Sequence, residues 1–528
     1  MSGSEGLQRG TEQAERLAQA LQGLSVLQGR NQRVFRSSEF DVGKRTLLTK
    51  LGFLQSITRG WVMSSDPHAA PGDSTPWHAS FWQFCAAYCE DRFADDWHLS
   101  PEQSLQLHAE NSTIPRQVVV FSTKGGNNRL KLPFETSLFD SRERTAVPAS
   151  LLEVKNGLRL FTLPAALARV PEGFYGQAPV DAEVALKSLN GASDLLAVLL
   201  DGDHSTVAGR LAGALRHVGR GDLADQIEMT FRRAAYDYRE TDPFVTPPRS
   251  GPLRGYVAPI VGRIRTLWET SRQRVIDAFP QAPGLPEDHD AYLRSVEDIY
   301  KFDAYHSLSI EGYRVTPGLI ERVRSGEWRP DEHTGDRDQR NAMAARGYYL
   351  AFERAKGVIS GILEGGSPGE AMRRAHLEWY QDLFEPLVDA GVLTRKSTIG
   401  YRDHFIYLKT SRYVPPQKDL LPEAMSELLD LLSNEPEASV RAVLGHWLFG
   451  YIHPFPDGNG RTARLLMNAM LASGGYPWTV IRLEDRDDYL RGLDAASIEG
   501  DVGPFADFIA DRVRLAMETY RPADGPPS

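Results

Sequence analysis

Cysteine is almost absent: the 528 residues hold two, Cys85 and Cys89 in FWQFCAAYCE. A spacing of four puts them on consecutive turns of one helix. With no second pair and no histidine nearby, they read as buried, inert thiols of a reducing compartment. Long apolar runs are also missing. No stretch is long enough to cross a bilayer, and the polar amino end MSGSEGLQRGTEQAERL has no signal-peptide core, so no membrane partner and a cytoplasmic location are expected. Net positive charge is lacking too. A formal charge of −10 excludes a chain that is basic throughout and leaves room only for a local cationic patch. Compositional extremes are missing: 41% hydrophobic and 25% charged residues exclude disorder and fibrous classes. What is present is length, too much for a single core, so several domains are expected.

Residues 1–65 open with the amphipathic EQAERLAQALQGL. There follow SSEF as a capped turn, KRTLLTKLG as a short helix stopped by Gly52, and FLQSIT-RG-WVM as a hairpin turning at Arg59-Gly60. This order is that of a winged helix. Seven basic residues lie between Arg30 and Met63 against Glu39 and Asp41, a local excess suited to a phosphate backbone. Residues 66–240, after the loop SSDPHAAPGDSTP, mix strand-like RQVVVFST, RLKLPFET and LRLFTLP with helical SLQLHAE and ADQIEMTFRRAAYDYRE, an α/β or α+β domain. The glycine pair of STKGGNNRL reads as a hairpin turn. A Pro-rich linker at 241–254 leads to a mainly helical region at 255–520, with one hairpin expected in GYRDHFIYLKTSRYVPP and a disordered tail at 521–528.

The chemistry concentrates between two apolar helical runs, in HPFPDGNGRTAR. Pro454 and Pro456 keep the segment from being helical. Asp457-Gly458-Asn459-Gly460 can present successive backbone N–H groups at the start of the next helix, where the dipole also favours an anion. His453 alone in the loop can take a proton near neutral pH, which makes it the candidate general base. Asp457 offers a hard oxygen for Mg²⁺, an ion usually held by one carboxylate plus substrate phosphates. Arg461 and Arg464 lie one helical turn apart and can grip one polyphosphate. A His-Pro step or a DGNG turn is common alone; the whole string points to nucleotidyl or phosphoryl transfer.

HPFPDGNGRTAR resembles the H-x-F-x-(D/E)-G-N-G-R-x-x-R signature of the Fic family at every defined position, and the likeness extends over about residues 250–515. The resemblance implies an all-α Fic fold that uses ATP and Mg²⁺ to attach AMP to a Ser, Thr or Tyr hydroxyl of a target protein, itself included. By that likeness His453 deprotonates the hydroxyl, Phe455 anchors the loop and Asp457 holds Mg²⁺. Asn459 with the Gly458 and Gly460 amides steadies the α-phosphate, while Arg461 and Arg464 hold the β- and γ-phosphates. GYRDHFIYL resembles the family's β-hairpin flap, in which Tyr401, Arg402, Phe405, Ile406 and Tyr407 dock the target by strand addition.

KFDAYHSLSIEGYRV, expected as a helix over 303–313, carries Ser307-x-x-x-Glu311-Gly312. It is similar to the family's (S/T)-x-x-x-E-(G/N) inhibitory motif. There the glutamate pairs with the second motif arginine, here Arg464, and competes with the γ-phosphate. The same glutamate supports removal of AMP in some relatives, so both directions stay open. RSSEFDVGKRTLLTKLGFLQSITRGWV resembles the winged helix of abortive-infection-type antitoxins, which would place Lys44, Arg45 and Lys50 on a DNA-facing helix and Arg59 on the wing. A protein contact by the same surface stays open, as does self-association. The expected whole is multi-domain: an N-terminal winged helix, a middle α/β (α+β) domain and a C-terminal all-α Fic fold with a β-hairpin flap. An autoinhibited adenylyltransferase is the leading reading. A nucleotide-sensing DNA-binding regulator and a toxin with a built-in antitoxin are the alternatives.

Overall fold

A computed structural model describes residues 2–30, 32–70, 72–202, 204–245, 255–327 and 336–519. The expected tail at 521–528 and the linker from 246 to 254 lie outside the described residues. The chain divides into two compact units: Met1–Pro259 with Tyr407–Val414, and Ile260–Ile406 with Pro415–Ser528.

In the first unit a helix at Ser2–Gln28 precedes strand β1 (Val34–Arg36), a single 3-10 turn at Ser37–Glu39, a helix at Val42–Lys50, and the hairpin β2 (Leu54–Thr58) and β3 (Trp61–Ser64). The antiparallel order is β1-β3-β2. Asp41 caps the short helix through the Gly43 and Lys44 amides, and Gly60 turns the hairpin at φ 84°. Ala20, Leu24, Phe35, Leu48, Leu54 and Val62 form the core between them. The helix Thr75–Phe93 that follows buries both Cys85 and Cys89 completely, and burial pushes both thiols up, which keeps them protonated and unreactive.

A second sheet has the order β4-β5-β7-β6, from β4 (His98–Leu99), β5 (Gln117–Ser122), β6 (Asn128–Lys131) and β7 (Ser137–Arg142). Here the reading of STKGGNNRL as a hairpin turn is corrected. β7 lies between β5 and β6 and runs parallel to β5, so Gly125-Gly126 carries the chain across β7. A Cβ on Gly125 would come within 2.6 Å of the Ser141 carbonyl, and the Asp140 carboxylate accepts from the Gly126 and Asn128 amides at 3.0 and 2.7 Å. Close backbone passage, not a reverse turn, requires the glycine. After the β8–β9 ribbon (Leu152–Lys155, Leu158–Phe161) the unit is helical, with a core built on helices such as Ser205–His217 and Gly221–Arg233. The start of the expected linker is packed: Phe244 stacks on His217 at 4.2 Å.

The second unit contains helices and no strand among its described residues. Ala438–Ile452 is apolar all round and nearly every residue is buried, as expected of a central helix. It ends at His453, whose φ of 51° is left-handed, and the chain re-enters a helix at Asn459–Ala472 behind Gly458 at φ 80°. Around this pair lie His289–Ile310, Asp336–Leu363, Pro368–Asp389 and Leu421–Asn434.

The expected flap hairpin is not formed: residues 399–414 contain no paired strand. The backbone groups that a ladder would use are engaged elsewhere. Arg402, 3% exposed, donates from its side chain to the carbonyls of His453, His404 and Pro416 at 2.8, 2.8 and 2.6 Å, and its N–H donates to the Pro454 carbonyl at 2.8 Å. Residues Tyr407–Val414 belong to the first unit, where the Ile114 amide donates to the Arg412 carbonyl at 2.8 Å.

Candidate active site

The loop between the two central helices is held by its own residues. The Asn459 side chain accepts from the Phe455 amide at 2.9 Å and donates to the Phe455 carbonyl at 2.8 Å. The side chain thus ties the loop together through Oδ1 and one of its two Nδ2 N–H groups. Phe455 is fully buried and stacks on Tyr380 with centroids 4.0 Å apart and planes 4° apart. It anchors the loop in the core, as expected. His376, which the sequence reading missed, completes the floor: its ring lies 6.3 Å from Phe455 and its Nε2 3.0 Å from the Tyr401 hydroxyl.

The half-buried His453 has Nδ1 at 3.3 Å from the Gly450 carbonyl. A carbonyl only accepts, so Nδ1 carries the proton and Nε2 keeps the lone pair. Burial lowers its pKa to about 4, helped by the Arg402 charge and opposed by the Gly450 contact, Glu311 and Asp457. The imidazole is therefore neutral at pH 7 and can act as a base. Asp457 is exposed; its Oδ1 accepts from the Gly458 amide at 2.6 Å and lies 3.5 Å from Arg461. Among the described residues no group of three or more metal-ligating side chains exists. A single accessible carboxylate beside the buried Arg461 guanidinium is a donor set that fits Mg²⁺ only where substrate phosphates complete it.

Both motif arginines are buried, Arg461 at 1% and Arg464 at 4% exposure. Arg464 donates to Ser307 Oγ at 2.9 Å, to the Ser307 carbonyl at 3.0 Å and to Glu311 Oε1 at 2.8 Å. Burial pushes the Glu311 carboxyl up, but the Arg464 and Arg461 charges outweigh it and hold the group below its ordinary value. Ser307 lies in the helix His289–Ile310, Glu311 caps that helix and Gly312 follows at φ 86°. One turn before Ser307, buried Asp303 accepts from the Tyr348 hydroxyl, a pair the sequence did not signal. Three guanidinium nitrogens, Arg461 Nε and Nη2 and Arg464 Nη1, make no hydrogen bond among the described residues. Arg210, Arg441 and Arg512 each leave their Nε in the same condition, whereas Arg461 and Arg464 together leave three nitrogens, and buried donors of this kind ask for an acceptor. A cavity of about 850 Å³ is lined in part by Tyr313, Phe384, Tyr401, Asp457 and Arg461.

A Cβ on Gly460 would overlap Glu311 Oε1 and sit 3.1 Å from Arg464 Nη1. Gly460→Ala is expected to lose about 1–3 kcal/mol of stability by overpacking. Most of that loss should vanish in a Glu311→Gly background, measured as a double-mutant cycle of urea midpoints.

Of the remaining sequence-derived candidates, Tyr401 and Arg402 lie beside this loop, Phe405 is 51% exposed, Ile406 follows it and Tyr407 falls in the first unit. Lys44, Arg45, Lys50 and Arg59 are all in the first unit; Arg45 is tied to the Ser37 carbonyl at 2.7 Å, while Lys44, Lys50 and Arg59 are exposed.

Residues 370–471 match the profile of the Fic/DOC family. A protein adenylyltransferase Fic of Nematostella vectensis is 43% identical over 124 residues, 23% of this chain and 28% of that protein. One of Drosophila willistoni is 41% identical over 243 residues, 45% of this chain and 44% of that protein. The chain spans less than half the length of these two curated relatives. A solved structure of a Fic-1 segment from C. elegans aligns over 65% of this chain and 92% of its own, at 17% identity and a TM-score of 0.36.

Proposed function

For a chain that carries a Fic/DOC-family domain, we propose the activity of an autoinhibited protein adenylyltransferase. The observation that carries the reading is the pair of buried guanidiniums, with three nitrogens lacking an acceptor, one loop away from a neutral imidazole. ATP supplies the missing acceptor. Its β- and γ-phosphates meet Arg461 and Arg464, and its α-phosphate meets the amides at the start of the helix Asn459–Ala472. His453 Nε2 takes the proton from a Ser, Thr or Tyr hydroxyl of the target. The hydroxyl oxygen then bonds to the α-phosphorus while the bond to pyrophosphate breaks. Asp457 is the residue that would hold Mg²⁺, which neutralises charge on the phosphates when bound.

Glu311 keeps this machinery off. Its carboxylate occupies Arg464 and adds negative charge where the γ-phosphate must sit. The test is incorporation of label from α-labelled ATP in wild type, Glu311→Gly, and Glu311→Gly with His453→Ala. Labelling confined to the Glu311→Gly single variant supports the reading; ATP binding without labelling in any form sinks it.

A second role belongs to the first unit as a winged-helix DNA contact. The acidic groups near its short helix act as caps, Glu39 accepting from the Arg36 amide at 2.5 Å and Asp41 from the Gly43 amide at 2.9 Å. Lys44, Lys50 and Arg59 form no ion pair among the described residues and carry the local charge outward. Replacing all three by Ala should reduce the slope of log affinity against log salt on duplex DNA by about 2–3. An unchanged slope assigns the surface to a protein partner.

A further inference from the structure

The helix end that delivers Glu311 also delivers a ring. The Gly312 amide donates to the Ser309 carbonyl at 3.0 Å and the Tyr313 amide to the Leu308 carbonyl at 3.1 Å, with Gly312 left-handed at φ 86°. This is a Schellman close. It fixes Tyr313 in space as firmly as it fixes Glu311. The two side chains go to different cations: Glu311 to Arg464 at 2.8 Å, and Tyr313 under Arg461, whose Cζ lies 5.2 Å from the ring centroid. Phe384 lies 5.3 Å from the same Cζ.

We propose that Tyr313 is a positioning residue for Arg461, and this rests on the reading that the two motif arginines take the polyphosphate of ATP. Arg461 has no strong polar tether. Its nearest charge is Asp457 Oδ1 at 3.5 Å, and its Nε and Nη2 have no hydrogen-bond acceptor among the described residues. Two aromatic rings therefore determine where this buried charge rests. They close off two approaches to it and leave its N–H groups for an anion arriving by way of the adjoining cavity. The rings make no hydrogen bond that a phosphate would have to displace, so they set the guanidinium in place without competing for it.

One turn of chain thus acts on both arginines with opposite sign: its carboxylate withholds Arg464 from ATP, and its ring presents Arg461 to ATP. Removing the carboxylate and removing the ring should move ATP affinity in opposite directions, which a purely inhibitory segment cannot do.

The experiment is calorimetric titration of ATP with Mg²⁺ into Glu311→Gly, Glu311→Gly with Tyr313→Ala, and Glu311→Gly with Tyr313→Phe, each with a thermal melt. The Ala variant should raise Kd about fivefold, and the Phe variant, which keeps the ring, should stay within twofold of Glu311→Gly. A packing role alone would lower the melting temperature and leave Kd unmoved. An unchanged Kd in the Ala variant, or an equal rise in the Phe variant, overturns the proposal. So does a Glu311→Gly protein that fails to bind ATP, which removes the arginine premise as well. Labelling from α-labelled ATP is followed on the same samples: ATP bound with the expected Kd pattern but no label transferred refutes adenylyl transfer and leaves the role of Tyr313 standing.

Discussion

Glu311→Gly should raise self-labelling from α-labelled ATP by about 10- to 100-fold. A charge-assisted hydrogen bond is worth about 1.5–3 kcal/mol, and about 1.4 kcal/mol corresponds to a factor of ten. The contact at issue is of that kind: Glu311 Oε1 lies 2.8 Å from a guanidinium that is 4% exposed. The variant does not strand Arg464, because both bonds to Ser307 survive it. Glu311→Gln separates charge from shape. It keeps an acceptor for Arg464 but removes the negative charge facing the phosphate, so its labelling should fall between wild type and Glu311→Gly. Equal labelling by all three proteins, with melting temperatures showing them folded, would leave the ion pair a structural contact.

His453→Ala in the Glu311→Gly background should reduce labelling by about 10²–10⁴-fold, the usual contribution of a positioned general base. The pH profile gives an independent check. Because burial lowers the His453 pKa to about 4, the neutral, proton-accepting form exists above that value and is lost as pH falls through it. For the free enzyme, kcat/KM should therefore be level from about pH 5 to 8 and fall toward pH 4, not show a limb near 6.5. Burial raises the Glu311 carboxyl, and the Arg464 and Arg461 charges outweigh it and hold it below its ordinary value. A limb near 6.5 in Glu311→Gly would mean that the base is a more exposed group.

The family motif and the contact of Ser307 and Glu311 with Arg464 were legible because both rest on particular residue types at fixed spacing. Ser307 and Glu311, one turn apart on their helix, both reach Arg464, as helical geometry allows. Phe455 was legible as an anchor for the same reason. What stayed hidden depends on partners distant in sequence. GYRDHFIYL resembles a flap hairpin, yet the Arg402 amide goes to the Pro454 carbonyl and the Arg412 carbonyl to the Ile114 amide. The glycine pair at 125–126 looks like a turn until β7 is found lying between β5 and β6. The engagement of Asn459 with Phe455 is likewise visible only in three dimensions. Tyr313 has no spacing relation to Arg461 at all, and only the fold brings its ring beneath that charge.

The pair of hydrogen bonds between Asn459 and Phe455 also bears on covalent durability. An Asn-Gly step in a mobile chain is prone to deamidation, since the glycine amide nitrogen can attack the asparagine side-chain carbonyl and close a five-membered imide. In Asn459-Gly460 that carbonyl is turned to the Phe455 amide, and both residues sit in the first turn of a helix, where the attacking nitrogen cannot reach it. The fold that arranges this loop thereby protects its most perishable dipeptide, and chemical ageing at this position becomes a record of time spent unfolded.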